Sequence, residues 1–192
     1  DMNILVTLNS NYIPPLSVML RSLRRVAPGL SLDLYVAHSS LSEADFQTIA
    51  NSCDGTSTRI HPVSIAPDVL ADAPILKRLS KETYYRLLAI DFLPKDVDRI
   101  LYIDPDTVFL RSPEKMYELD FGTDLLAAAG HTSGWIEKLN HLRLHMAKNS
   151  RYINAGIILM NIAAMRKEIS VHDIFEYIAK NSKKLYLGDQ DV

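Results

Sequence analysis

Ile100-Leu101-Tyr102-Ile103-Asp104-Pro105-Asp106 is the stretch on which the reading of this chain turns. Branched and aromatic residues dominate it up to Ile103, which predicts a buried strand over residues 99–103. It then runs straight into two carboxylates separated by a proline, a composition that makes a turn. Ligands of open α/β sheets sit at the carboxyl ends of the strands. Two carboxylates on such a turn can grip one divalent cation, and oxygen-only ligands suit Mg²⁺ or Mn²⁺. A plain Asp-Pro turn carrying surface acids is the alternative. With 23 acidic residues in 192, a D-x-D match somewhere is expected by chance, so its place directly after the strand is what gives it weight.

Outward from this stretch, strand-like and helical patterns alternate. Residues 4–8 read as a strand. Pro14 and Pro15 open a helix that carries Leu16, Met19, Leu20, Leu23 and Val26 on one face, and Pro28-Gly29 stops it. Residues 32–37 alternate as a second strand. Ser42 caps the next helix, with Asp45 completing a weak capping box. Residues 59–63 form a third strand, and Pro62 within it points to a sheet edge. After a loop over 64–74, Ser80 caps a helix through Phe92, with Tyr84, Leu87, Leu88 and Ile90 on its apolar side; Pro94 ends it. Further strands are expected over 125–129, 153–161 and 185–187, and helices over 134–146 and 171–181. Strand–helix alternation of this kind predicts an α/β protein with a mostly parallel sheet flanked by helices. No repeat, low-complexity segment or linker divides it, so residues 1–192 are read as a single domain.

Composition narrows the function classes. Hydrophobic residues make up 47% and charged residues 23%, as in folded soluble proteins. A net charge of −2 excludes bulk electrostatic attraction to nucleic acid. No apolar run reaches the roughly 18 residues of a membrane span, and no signal peptide opens the sequence. Met2 is expected to be the native start, with Asp1 an addition ahead of it. The one cysteine, Cys53, permits no internal disulfide, and the expected location is cytoplasmic.

Three other segments adjoin predicted strands. Thr7-Leu8-Asn9-Ser10-Asn11-Tyr12 follows the first, where a dinucleotide fold or P-loop would carry its glycine motif; neither motif occurs. Asn side chains and a Tyr ring can hold a base and ribose instead, or Asn9 and Asn11 can simply form turns. Asn154-Ala155-Gly156 is small enough to let a ligand approach the backbone, or marks a glycine bulge. Gly188-Asp189-Gln190-Asp191 can read a sugar or phosphate, or Asp189 can cap a helix. Elsewhere the bland reading is preferred. His141 and His145 with Glu137 lack a further zinc ligand. Arg21, Arg24 and Arg25 complement a helix dipole, and Cys53 is expected to be inert. Trp135 packs in a core or stacks on a sugar.

In order and spacing, five segments resemble glycosyltransferase family 8, the family of glycogenin and the bacterial lipopolysaccharide galactosyl- and glucosyltransferases. They are residues 4–12, Thr83-Tyr84-Tyr85-Arg86-Leu87, residues 99–106, Asn154-Ala155-Gly156 and Asp189-Gln190-Asp191. The resemblance implies a GT-A fold, a UDP-glucose or UDP-galactose donor, a glycan acceptor, and Mn²⁺ (or Mg²⁺) held by Asp104 and Asp106, with Pro105 between them in the donor site. It implies that Thr7, Leu8, Asn9, Asn11 and Tyr12 line the uridine site and that Arg86 reaches the donor. Asn154, Ala155 and Gly156 would touch the sugar or diphosphate. Asp189 would read sugar hydroxyls, and Gln190 would lie near the anomeric carbon in a transfer that retains configuration. A neutral amide is a poor nucleophile, which favours front-face attack over a covalent intermediate.

The sequence departs from the family pattern in three places. Many members have Asp where Asn9 stands. Some bacterial members have an Asp where this chain has Gly130-His131. Members also supply a His metal ligand from a downstream H-x-x-G-x-x-K-P-W-like segment, which a sequence ending at Val192 does not contain. The expectation is a catalytic core truncated at its C-terminus, with peripheral membrane association left to the absent part. Asp104-Pro105-Asp106-Thr107-Val108 also resembles the D-x-D-x-T loop of haloacid-dehalogenase-like Mg²⁺-dependent phosphatases, in which Asp104 is the nucleophile and Lys183 or Lys184 and Gly188-Asp189 follow. That family opens near its N-terminus with the nucleophile strand, whereas three strand–helix units come first here. It also gives Asn154-Ala155-Gly156 no role.

Overall fold

A computed structural model describes residues 1–66, 81–130 and 153–181. The strands are β1 (Met2–Thr7), β2 (Leu32–His38), β3 (Thr58–Ser64), β4 (Arg99–Ile103), β5 (Leu126–Gly130) and β6 (Ile153–Asn161). They form one sheet in the order β3-β2-β1-β4-β6-β5. The pairs β2–β3, β1–β2 and β1–β4 are parallel. The pairs β4–β6 and β5–β6 are antiparallel, so the sheet is mixed but mostly parallel.

Burial follows place in the sheet. Central β1 and β2 are buried along nearly their whole length, as strands covered on both faces must be. β3 alternates between half-buried and exposed residues and, among the described strands, sits at the edge that Pro62 predicts, with Pro62 opposite Val36 of β2. One core lies where α1 (Ile13–Val26) and α2 (Glu43–Ser52) cover the sheet. It joins Leu16, Met19, Leu20 and Leu23 of α1 to Ile4, Val6, Leu34 and Leu101, while Val26 is half-buried. The other core gathers Leu5, Tyr85, Ala89, Ile100, Tyr102 and Ile158.

Several boundaries differ from the sequence reading. A 3-10 turn, Ser10–Tyr12, precedes α1. The capping box of Ser42 and Asp45 is formed as expected. The helix expected to run through Phe92 is broken at Leu88 (φ −93°, ψ 7°) into α3 (Lys81–Leu87) and α4 (Ala89–Phe92). This turn of the chain lets Tyr84, Tyr85, Leu88, Ala89 and Ile90 all be buried, while Leu87, expected on the apolar side, is half-buried. Two helices were not anticipated: α5 (Glu114–Tyr117) and α6 (Ile162–Glu168). Asn161 starts α6 by accepting a hydrogen bond from the Ala164 amide at 3.1 Å. α7 (Val171–Asn181) has the predicted bounds. The expected helix over 134–146, the strand over 185–187 and Ser80 lie outside the described residues. Among the described residues, no helix is long and apolar enough to cross a membrane.

Candidate active site at the carboxyl end of β4

Asp104 leaves the sheet where β4 ends. Its amide donates to the Gly156 carbonyl at 2.8 Å, and its own carbonyl accepts from the Thr107 amide at 3.1 Å, closing the turn. Pro105 is buried beneath the turn and Asp106 is exposed on it. Asp104 lies between, with 35% of its side chain exposed.

The Asp104 carboxylate is gripped from inside. The Tyr102 hydroxyl donates to Oδ1 at 2.5 Å, and Arg86 Nη1 lies 3.3 Å from the same oxygen. Arg86 is reached from α3. Its Nη1 also donates to the Ala155 carbonyl at 2.6 Å, and its guanidinium sits 4.3 Å from the centre of the Tyr102 ring. Behind Tyr102, its hydroxyl lies 3.3 Å from Thr7 Oγ1 at the end of β1. Burial pushes the Tyr102 hydroxyl well above its ordinary pKa, so it stays protonated and serves as a donor.

The third wall is Asn154-Ala155-Gly156. These residues do not follow a strand. They open β6, which runs against β4 in the register Ile103↔Ile157. Because β6 is reversed, its beginning lies at the carboxyl end of β4, which puts these residues at the ligand end by a different route from the one the sequence reading assumed. Asn154 Oδ1 accepts from the Gly156 amide at 2.8 Å. A Cβ at Gly156 would stand 2.9 Å from Asp104 Oδ2 and 3.1 Å from Asn154 Oδ1, so only glycine leaves this contact unstrained.

The β1 loop is divided. Thr7 and Leu8 are buried, with the Thr7 hydroxyl turned to Tyr102 and the Leu8 amide donating to the Ala37 carbonyl at 3.2 Å. Asn9 accepts from the Asn11 amide through Oδ1 at 3.1 Å, which makes it the cap of the 3-10 turn. Asn11 is exposed, and Tyr12 is 44% exposed. Asn9 therefore builds the turn on which Asn11 and Tyr12 stand exposed. Asp189, Gln190, His131, Trp135, Glu137, His141, His145, Lys183 and Lys184 lie outside the described residues. Cys53 is buried, and burial pushes its thiol up to about 11.

Sequence reading missed Tyr102. The signal was available, since a tyrosine in a buried strand must find a partner for its hydroxyl, and a carboxylate two residues on shares its side of the strand. Among the described residues no group of three His, Cys, Asp or Glu side chains comes together. The pair available, Asp104 and Asp106, offers oxygen alone. Gly156 leaves open the space beside Asp104 Oδ2 that a Cβ would crowd. Both features fit a hard divalent cation.

Comparison with known proteins places this geometry. Residues 3–192 match the family model for Glycosyl transferase family 8. The chain is 24% identical over 191 residues to the lipopolysaccharide 1,2-glucosyltransferase of Escherichia coli K12, covering all of this chain and 56% of that protein. It is 26% identical to the lipopolysaccharide 1,3-galactosyltransferase of Salmonella typhimurium, over 83% of this chain and 48% of the other. The chain thus spans about half the length of the curated relatives it matches. The galactosyltransferase LgtC, solved with donor and acceptor sugar analogs, superposes with a TM-score of 0.86 at 25% identity, over 99% of this chain and 68% of that one. The fold is therefore of the GT-A type. The family match favours the transferase over the phosphatase reading, in which the Asn154–Gly156 segment packed on Asp104 had no role.

Proposed function

The chain belongs to glycosyltransferase family 8, and from that premise we propose that it moves glucose or galactose from a UDP-sugar to a glycan or lipopolysaccharide-type acceptor, with retention at the anomeric carbon. The observation that carries the reading is the meeting of Asp104, Arg86 and the Asn154-Ala155-Gly156 backbone, three segments far apart in sequence, at one end of the sheet. The names of the relatives support the hexose and the acceptor class.

In this proposal Asp104 and Asp106 hold Mn²⁺ or Mg²⁺, which when bound neutralises the diphosphate leaving group. Asn11 and Tyr12, on the turn built by Asn9, receive the uridine by hydrogen bonding and stacking, while Thr7 and Leu8 support that turn from below. Gly156 lets the donor approach the backbone beside Asp104. Arg86 commits Nη1 to the Ala155 carbonyl and to Asp104 and lays its guanidinium over Tyr102, and so shapes the wall that the donor meets. Asp189 reads sugar hydroxyls. Gln190 stabilises positive charge near the anomeric carbon as the bond to the diphosphate breaks and the acceptor oxygen attacks from the same face. The acceptor's proton leaves on the departing diphosphate.

Calorimetry of UDP binding tests the proposal. Affinity should be measurable with Mn²⁺, and should disappear in EDTA and in Asp106→Ala. Equal affinity for UDP with Mn²⁺ and with EDTA would overturn it, because the proposal assigns the diphosphate charge to the cation in place of a glycine cradle.

A further inference from the structure

The side-chain donors that reach Asp104 are not spread over its two oxygens. Among the described residues, both end on Oδ1: the Tyr102 hydroxyl at 2.5 Å and Arg86 Nη1 at 3.3 Å. Oδ2 is on the other side, where the hydrogen of Gly156 replaces a methyl group that would stand 2.9 Å away. Tyr102 is itself closely packed. Its ring has no exposure, lies under the Arg86 guanidinium, and belongs to a strand paired on both sides. Since its proton goes to Asp104, its oxygen accepts from Thr7 Oγ1 at 3.3 Å. A hydroxyl chain thus runs from the end of β1 to the carboxylate at the end of β4.

We propose that Tyr102 is a positioning residue for the cation site: with Arg86 it holds Oδ1 inside the protein, so that Asp104 presents Oδ2 alone to the metal. Thr7, placed by family resemblance among residues lining the uridine site, acts here as the anchor of that chain. The inference rests on the proposed reading of Asp104 as a metal ligand. Fixing a carboxylate by an outer hydrogen bond raises metal affinity because the ligand need not be ordered on binding; removing such a partner typically weakens binding about 10- to 100-fold.

Tyr102→Phe removes one oxygen and keeps the ring, its packing and its place under Arg86. The test measures Mn²⁺ binding to the 192-residue chain by water-proton relaxation, a method sensitive to weak sites and independent of turnover. Asp104→Asn is the control for the site, and Thr7→Val removes the next hydroxyl. Thermal unfolding of each variant, followed by circular dichroism, reports folding. The expected result is that Tyr102→Phe folds and loses about 10-fold in Mn²⁺ affinity. Thr7→Val should lose less, in the same direction. Tyr102→Phe should add nothing in the Asp104→Asn background, since both act through one carboxylate. If the wild-type chain binds Mn²⁺, loses it in Asp104→Asn and keeps it unchanged in Tyr102→Phe, the positioning role is overturned while the metal reading stands. A lowered melting temperature with unchanged Mn²⁺ affinity overturns it equally, since a purely structural tyrosine would behave that way. Binding unaffected by Asp104→Asn, or no binding by the wild type, overturns the metal reading and this inference with it.

Discussion

At the scale of single residues, the site depends on what is missing at position 156. A methyl group there would meet Asp104 Oδ2 at 2.9 Å and Asn154 Oδ1 at 3.1 Å. Both atoms belong to short side chains held by hydrogen bonds, so neither can yield without breaking its contact. Gly156→Ala is therefore expected to lower transfer at least about 10-fold, the scale for a displaced ligand. Its melting temperature should fall as well, because one of those contacts must give way within a strand paired on both sides. Initial rates beside a thermal melt check both halves. Asp104 and Gly156 were singled out in the sequence by their place beside strands, and the structure brings them against one another. Tyr102 was not, because a strand tyrosine reads first as core. Its second role, donating to the carboxylate two residues on, was open to the same reading but was passed over for that reason.

Secondary-structure elements were legible where local chemistry sets them. The S-x-x-D pattern at Ser42 and Asp45 forms its capping box, and the same pattern recurs at Ser170 and Asp173. There the Ser170 amide donates to Asp173 Oδ2 at 2.8 Å and Ser170 Oγ accepts from the Asp173 amide at 3.2 Å. The Ser170 hydroxyl also donates to Asp173 Oδ2 at 2.5 Å, and that bond, with the one from the Ser170 amide, holds the Asp173 carboxyl below its ordinary pKa. Ser170→Ala should cost about 1 kcal/mol, seen as a lower urea midpoint with an unchanged slope. Helix α6 escaped notice because it begins at Asn161, inside an apolar run that reads as strand to its last residue. The direction of β6 was not legible either. A strand buried on both faces shows the same apolar pattern whichever way it runs. Its connection passes through residues 131–152, where the sequence carries no signal for orientation.

Across the molecule, the parallel half of the sheet is tied at its outer side by a charged cluster. Arg59 of β3 grips Asp33 of β2 with two bonds, Nε to Oδ1 at 2.8 Å and Nη2 to Oδ2 at 2.7 Å. His61 Nε2 lies 2.7 Å from Asp33 Oδ1, with its ring stacked on Tyr35. The bond from Arg59, more than that from His61, holds the Asp33 carboxyl at about 2, against the cost of burial. A depressed carboxyl stabilises the fold above its unfolded pKa of about 3.9, and that stability is lost as pH falls through the folded value. Asp33→Asn should therefore lower stability at neutral pH by about 1–2 kcal/mol, a figure reduced because the Arg59 partner is well exposed to solvent. The variant should also show a weaker acid dependence between about pH 4 and pH 2. Urea titrations at a series of pH values measure the difference. If the two stability curves run parallel through that window, the cluster does not hold the sheet edge.

The place of β6 also sets an order of assembly. β5 is synthesised before β6 yet lies outside it, so β4 and β5 have no direct pairing and wait for the strand that joins them. Until residues 153–161 arrive, β4 keeps a bare edge of unsatisfied amides and carbonyls on one of the most apolar strands in the chain. Its Asp104 amide has no Gly156 carbonyl to meet. A nascent chain at that stage is prone to pair with its neighbours, and closure requires a contact between distant segments, the slow kind of step in folding. The strand that ends this exposure is the one that carries Asn154, Ala155 and Gly156. Among the described strands this is the last to be inserted, so its arrival also completes the wall beside Asp104 that is proposed to receive the donor.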